Sequence, residues 1–187
     1  KPQIDLLITR NYGSRDHAEG KLTNKRELQR QLGLEQIDSA PLFFWPSRLD
    51  PIQKGCSLLT DILYRVISTY WNEHFQLAVV ANGVYQQHFH DIVNFHGLHN
   101  RAAICNFDEA LSHLAFAASD FTLVPSKFEP CGLPQMIGCI YGSLPLVHNT
   151  GGLRDTVTPL DVDNNTGNGF RFEHYDAGGL WWAIDLA

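Results

Sequence analysis

At 187 residues, 44% hydrophobic and 18% charged, the chain has the size and composition of one globular domain with a substantial core, not of a disordered segment. A net charge of −6 with both signs interspersed argues against sequence-independent nucleic-acid binding, which needs a basic surface to displace phosphate counterions, yet leaves room for a small anion held by local cations. No apolar run reaches the 18 residues of a membrane helix, and Cys56, Cys105, Cys131 and Cys139 form no CxxC pair, so the expectation is a soluble cytoplasmic protein (plastidial in a plant) with reduced thiols and neither nucleic-acid nor membrane partner.

An irregular N-terminal stretch leads to a helix over Asn24–Leu32, with Leu28 and Leu32 at helical spacing and Gly33 as the C-cap. Pro41–Ser47 carries Leu42, Phe43, Phe44 and Trp45, a strand buried on both faces. Leu58, Leu59, Ile62, Leu63, Val66, Ile67 and Tyr70 recur at i, i+3 and i+4, an amphipathic helix. Alternation continues with a strand at Gln76–Ala81, a helix near Tyr85–Phe95, and a short strand at Arg101–Cys105. A helix carrying Leu111, Leu114, Ala115 and Ala118 follows, its capping box running from Asn106 to Glu109. The remainder reads as strand Phe121–Val124, helix Leu133–Tyr141, strand Leu144–Val147, the loop Thr158–Asn168, a small strand at Gly169–Phe172, and a final helix. Apolar, non-alternating strands each followed by a helix predict an α/β fold with a doubly wound parallel sheet, Rossmann-like, across residues 1–187 as one domain.

Sheets of this kind bind ligands at the carboxyl ends of their strands. The residues expected there are Arg48 and Lys54 after the first strand, and Asn106 and Phe107 after the third. Ser126 through Gln135 follow the fourth, including Glu129, Cys131, Gly132 and Leu133, and Thr150, Gly151 and Gly152 follow the fifth. Two cations, an aromatic ring, a carboxylate and glycine-bearing helix starts form an inventory for a phosphate-bearing nucleotide with a sugar attached. Neither GxGxxG nor GxxxxGK[ST] is present, which removes the main support for a dinucleotide site and for a P-loop hydrolase.

The stretch Pro125-Ser126-Lys127-Phe128-Glu129-Pro130-Cys131-Gly132-Leu133, with Tyr141-Gly142, Leu144-Pro145-Leu146-Val147, Thr150-Gly151-Gly152-Leu153 and Asp155-Thr156-Val157, closely resembles the bacterial and plant glycogen/starch synthases, which are retaining glycosyltransferases of the GT-B fold. Further matches lie at Asn24-Lys25, Leu28-Gln29, Leu32-Gly33-Leu34, Ser47-Arg48-Leu49, Gln53-Lys54-Gly55, Asp108-Glu109-Ala110-Leu111 and His113, in family order over nearly the whole chain. The resemblance implies the C-terminal donor-binding half of a GT-B enzyme that transfers glucose from ADP-glucose or UDP-glucose to the non-reducing end of an α-1,4-glucan. The glucan acceptor is then held by an N-terminal domain absent from this sequence. Onto this chain it carries Arg48, Lys54, Thr150, Gly151 and Gly152 as phosphate contacts, Glu129, Cys131, Gly132 and Leu133 as sugar contacts with Glu129 catalytic, and Phe107 as the base-stacking ring. It implies no cofactor and no metal. A chain that starts at Lys1 without methionine and stops inside a helical pattern reads as a piece of something longer, inactive by itself.

The sequence departs from the family pattern at several places. Arg48 and Lys54 are six residues apart where five is usual, Phe107 stands for a common tyrosine, Ala81-Asn82-Gly83-Val84 keeps one glycine of a GxG-like turn, and Pro134 replaces a frequent threonine. Two alternatives stay open: another GT-B transferase of the sucrose- or trehalose-synthase type, against which the Phe-Glu-Pro-Cys-Gly-Leu form speaks, and a non-catalytic or regulatory relative in which the altered spacing has abolished donor binding. Asp161-Val162-Asp163-Asn164-Asn165 imitates a cation loop, but an EF-hand needs glycine where Thr166 stands and glutamate at Phe172. His88-Phe89-His90 is expected on alternating faces of a loop, not as a metal site.

Overall fold

The computed structural model describes residues 1–187. Six strands, β1 (Leu42–Trp45), β2 (Gln76–Val80), β3 (Ala102–Cys105), β4 (Phe121–Val124), β5 (Leu144–His148) and β6 (Phe170–Phe172), form one sheet in the order β3-β2-β1-β4-β5-β6. Every pairing is parallel, so all six carboxyl ends share one rim. The chain direction across the sheet reverses between β1 and β4, the topological switch point at which doubly wound folds bind ligands.

Strand side chains alternate between faces, and the sheet has a core on each. Phe43, Trp45, Leu77 and Val79 pack against α2 (Cys56–Thr69), α3 (Gln86–His96) and α7 (Ala177–Leu186). Leu42, Phe44, Ala78 and Val80 pack against α1 (His17–Leu32), α4 (Glu109–Ala118) and α5 (Pro134–Tyr141). Because neither face meets water, these strands lack polar alternation, which is why their apolar runs were legible. Burying a side chain such as Trp45 or Phe44 stabilises by about 1.5–3 kcal/mol.

Several boundaries differ from expectation. The first helix begins at His17, not Asn24. Its inward face is polar: Asn24 accepts from the Thr9 and Arg10 amides, Lys25 pairs with Asp120 at 2.8 Å, and Gln29 donates to Gln76 at 3.0 Å. An apolar period could not reveal a helix that buries amides and an ammonium. The cap of α4 is Asp108, whose carboxylate accepts from Leu111 N at 2.7 Å; Asn106 instead accepts from Gln86. His88, Phe89 and His90 lie in α3, not a loop, with Phe89 in the core and His88 exposed. Gly151–Thr156 forms a six-residue helix, α6, too short to show a period. The Asp161 loop is a tight turn in which Asp161 and Thr166 exchange backbone hydrogen bonds and Asn164 donates to the Asp161 carboxylate.

The N-terminal sixteen residues are fastened to the α4–α5 side by the buried Tyr12, whose hydroxyl donates to Tyr141 O at 2.6 Å, and by the Asp5 carboxylate. Asp5 accepts from Tyr141 OH at 2.6 Å and from Leu7 N at 2.9 Å, and lies 2.7 Å from His113 Nδ1. Burial alone would raise its pKa, but these hydrogen bonds, Tyr141's foremost, hold it below the usual carboxylate range.

Candidate active site

The loops at the carboxyl rim are stitched together in sheet order. Phe107 N, after β3, donates to Asn82 Oδ1 after β2 at 2.9 Å, and Leu49 N, after β1, donates to Asn82 O at 2.9 Å. Across the switch point, Lys127 N donates to Gln53 O at 2.8 Å and Gln53 Nε2 to Phe128 O at 3.1 Å. The β4 loop is tied to α6 by Gly152 N donating to Glu129 O at 2.9 Å. Five loops far apart in sequence thus form one continuous surface.

At its centre Lys54 Nζ lies 2.7 Å from Glu129 Oε2, joining residues 75 positions apart, with side chains only 18% and 14% exposed. The six-residue step from Arg48 is absorbed by a turn at Asp50, whose Oδ1 accepts from Ile52 N at 2.8 Å and Gln53 N at 2.9 Å. These backbone bonds, Gln53's first, hold the Asp50 carboxyl below its ordinary pKa. Gly55 follows in the left-handed region at φ 81° and caps α2; a Cβ there would overlap the Pro125 carbonyl. The chain of β1's loop can therefore press against β4's end only with glycine at this position.

Of the remaining sequence-predicted residues, Arg48 projects from the same loop, 71% exposed and 3.9 Å from Asp50. Leu133 is the N-cap of α5, and Pro134 occupies the first helical position, where a missing N–H costs nothing. Thr150 is the N-cap of α6 with its hydroxyl making no cap bond, and Gly152 packs against the backbone of Cys131 so closely that no Cβ fits. Phe107 is 59% exposed at the β3 end and is not a core residue. The structure thus brings Lys54, Glu129, Cys131, Gly132, Gly151 and Gly152 into one tract, with Arg48 on its β1 side and Phe107 at its β3 end.

Sequence reasoning did not single out the residues that hold this tract in place. Ser126, fully buried, donates to Glu129 Oε2 at 3.4 Å, and its carbonyl is 2.9 Å from His148 Nδ1. Lys54 and Ser126 both engage Oε2, which leaves Glu129 Oε1 as the open acceptor. Buried Gln135 donates to the carbonyls of Cys131 at 2.8 Å and Gly132 at 3.0 Å and to Thr156 Oγ1 at 3.2 Å. Asn82 and Gln53 bridge their loops as described. Each is an ordinary polar residue in a loop or helix start, and only the partner across the rim gives it a role. Chemically, the tract offers one exposed cation, one paired cation, a largely buried carboxylate and helix-start amides of α5 and α6 without intrahelical acceptors, of which Gly152 N is already taken by Glu129 O. That set suits a diphosphate joined to a polyhydroxylated ring.

No family model matches the chain. A glycogen synthase of Clostridium botulinum (strain Eklund 17B / Type B) is 40% identical over 188 residues, covering all of this chain and 38% of that protein. The glycogen synthase of Bacillus subtilis (strain 168) is 38% identical over 190 residues with the same shares. The chain is homologous to one portion of the glycogen and starch synthases. Its fold agrees: the catalytic domain of starch synthase IV from Arabidopsis thaliana bound to ADP and acarbose superposes with a TM-score of 0.87 and 36% identity, over all of this chain and 38% of that one. Anabaena HepE in complex with UDP and glucose, 22% identical with a TM-score of 0.67, shares the fold. The chain spans under two fifths of the length of these synthase relatives, and the parallel, doubly wound half of a GT-B fold expected from the sequence is the architecture present. Within the family motifs, Asn24, Lys25 and Gln29 serve α1's packing, while the Glu129 and Gly151 motifs meet at the rim.

Proposed function

We propose that residues 1–187 are the nucleotide-sugar-binding domain of a glycogen/starch synthase, which transfers glucose with retention from ADP-glucose or UDP-glucose to the non-reducing end of an α-1,4-glucan. The observation that carries this reading is the Lys54–Glu129 pair at 2.7 Å, set where the β1, β4 and β5 loops meet. Breaking the bond between glucose and a nucleoside diphosphate moves negative charge onto phosphate and positive charge onto the sugar ring. Arg48, Lys54, the Thr150 hydroxyl and the Gly151 amide, the one amide of the Thr150-Gly151-Gly152 turn without a backbone acceptor, stabilise the first; Glu129 favours the second and, through Oε1, holds sugar hydroxyls. Cys131, Gly132 and Leu133 border the sugar, and the Phe107 ring stacks the base. Lys54, shared between carboxylate and phosphate, links the two charges. No metal or cofactor enters these steps. The acceptor glucan is positioned by another domain, so this chain alone transfers no glucose, since the reaction needs two domains closing on the donor to exclude water. The ADP in the Arabidopsis structure supports an adenine nucleotide, and the four free cysteines fit a reducing cytoplasm or plastid.

Titration calorimetry with ADP and with UDP tests this. Saturable heat is expected with the native chain, and a charge-assisted hydrogen bond of about 1.5–3 kcal/mol makes Arg48→Ala at least tenfold weaker. Absence of binding by either nucleotide, or equal binding by the variant, refutes the assignment.

A further inference from the structure

Glu129 stands at the end of a short arc that begins where β4 ends, and one peptide plane in that arc is gripped from both sides of the switch point. The carbonyl of the Ser126–Lys127 peptide lies 2.9 Å from His148 Nδ1, and the N–H of the same peptide donates to Gln53 O at 2.8 Å. The two groups belong to a single planar unit, so β5 holds one edge of it and the β1 loop the other. Just before the plane, Pro125 is pressed against Gly55; just after it, Glu129 O accepts from Gly152 N at 2.9 Å. A carbonyl oxygen only accepts, so Nδ1 of His148 carries the proton. The imidazole is itself set between Phe172, with centroids 5.5 Å apart, and Tyr175 at 5.2 Å.

Ser126 is fully buried, so its carbonyl has no water to turn to. Without the imidazole it becomes an unsatisfied buried acceptor, and the plane swings about its remaining bond to Gln53 to relieve that cost. The swing carries with it the Ser126 side chain, whose hydroxyl faces Glu129 Oε2 from 3.4 Å, and the start of the arc on which Glu129 sits. Lys54, at 2.7 Å, is then the one strong contact on the carboxylate. A carboxylate held at one oxygen turns about that contact, and Oε1 leaves the direction in which the sugar hydroxyls lie.

We propose that His148 is a positioning residue for Glu129: by clamping the Ser126–Lys127 peptide it fixes how Oε1 meets the donor sugar, a role that rests on the donor-binding function given above. Two substitutions separate the hydrogen bond from packing. His148→Asn keeps an N–H donor near the Nδ1 position and loses the ring, whereas His148→Phe keeps a ring between Phe172 and Tyr175 and loses the donor. The 187-residue chain is titrated calorimetrically with ADP-glucose and with UDP-glucose. For the sugar nucleotide that the native chain binds, His148→Phe should be about tenfold weaker and His148→Asn within about threefold of native. In a Glu129→Ala background, which keeps the phosphate and base contacts, His148→Phe should cost nothing further, because nothing is left to orient. The same loss in both backgrounds, equal losses by Phe and Asn, or Phe matching the native chain while Asn fails, each overturns the proposal alone. A long-range proton–nitrogen NMR spectrum, with His148 assigned by its disappearance in His148→Phe, reads the bond without ligand. Nδ1 should be protonated, and an Nε2–H tautomer overturns the proposal. A native chain that binds neither sugar nucleotide overturns the donor-binding reading, and this role with it.

Discussion

Replacing Gly55 with alanine tests whether the β1 and β4 loops are held together by backbone contact. Two effects act at this position. The left-handed φ of 81° costs a residue with a Cβ about 1 kcal/mol, and that Cβ would overlap the Pro125 carbonyl, an overpacking penalty of about 1–3 kcal/mol because backbone cannot rotate away. The sum is about 2–4 kcal/mol, or roughly 5–12 °C in Tm for a domain this size. Gly33→Ala supplies the control, since Gly33 has φ 68° but nothing within 4 Å of its Cβ position. It should lose about 1 kcal/mol, roughly 2–4 °C. Scanning calorimetry of both variants reads the stability difference, and ADP titration reads the site, because moving the β1 loop carries Lys54 away from Glu129. Equal losses in Tm, or a Gly55→Ala chain that binds ADP as the native one does, would refute the argument that this contact builds the rim.

Further expectations concern buried titratable groups. Burial pushes the Cys56 thiol from an ordinary 9.0 up to about 12, so between those values the unfolded chain loses a proton that the folded chain keeps, and stability falls by up to about 1.4 kcal/mol per pH unit. Lys21, which burial lowers from 10.5 to about 8, acts in the opposite sense from pH 8 to 10.5, so the comparison must be with Cys56→Ala. The stability gap between native and variant in urea should narrow from pH 9 to 11, and a constant gap would exclude the thiol as its source. Tyr141→Phe removes one of three hydrogen bonds to the buried Asp5 carboxylate and should cost about 1–3 kcal/mol. Limited proteolysis should then cut residues 1–16 faster, and an unchanged cleavage pattern would show that Asp5 does not fasten the segment.

What the sequence determined by itself was whatever follows from local periodicity. The apolar runs at Leu42–Trp45 and Gln76–Val80 and the 3.6-residue stripe of α2 could be read directly, because a two-sided core removes polar residues from strands and leaves a one-sided pattern on the helix covering them. The same reading placed Arg48, Lys54, Glu129 and the Thr150-Gly151-Gly152 turn after strands, hence at one rim of a parallel sheet. Tertiary structure alone decided which strands are neighbours, since the β1–β4 pairing joins segments nearly eighty residues apart. It alone set Lys54 against Glu129, buried the polar face of α1, and gave Ser126, Gln53 and Gln135 their supporting roles. Those features are contacts between distant residues with no local signature. A lysine at a strand end looks the same in sequence whether it meets water or a carboxylate, and only chain closure supplies the partner.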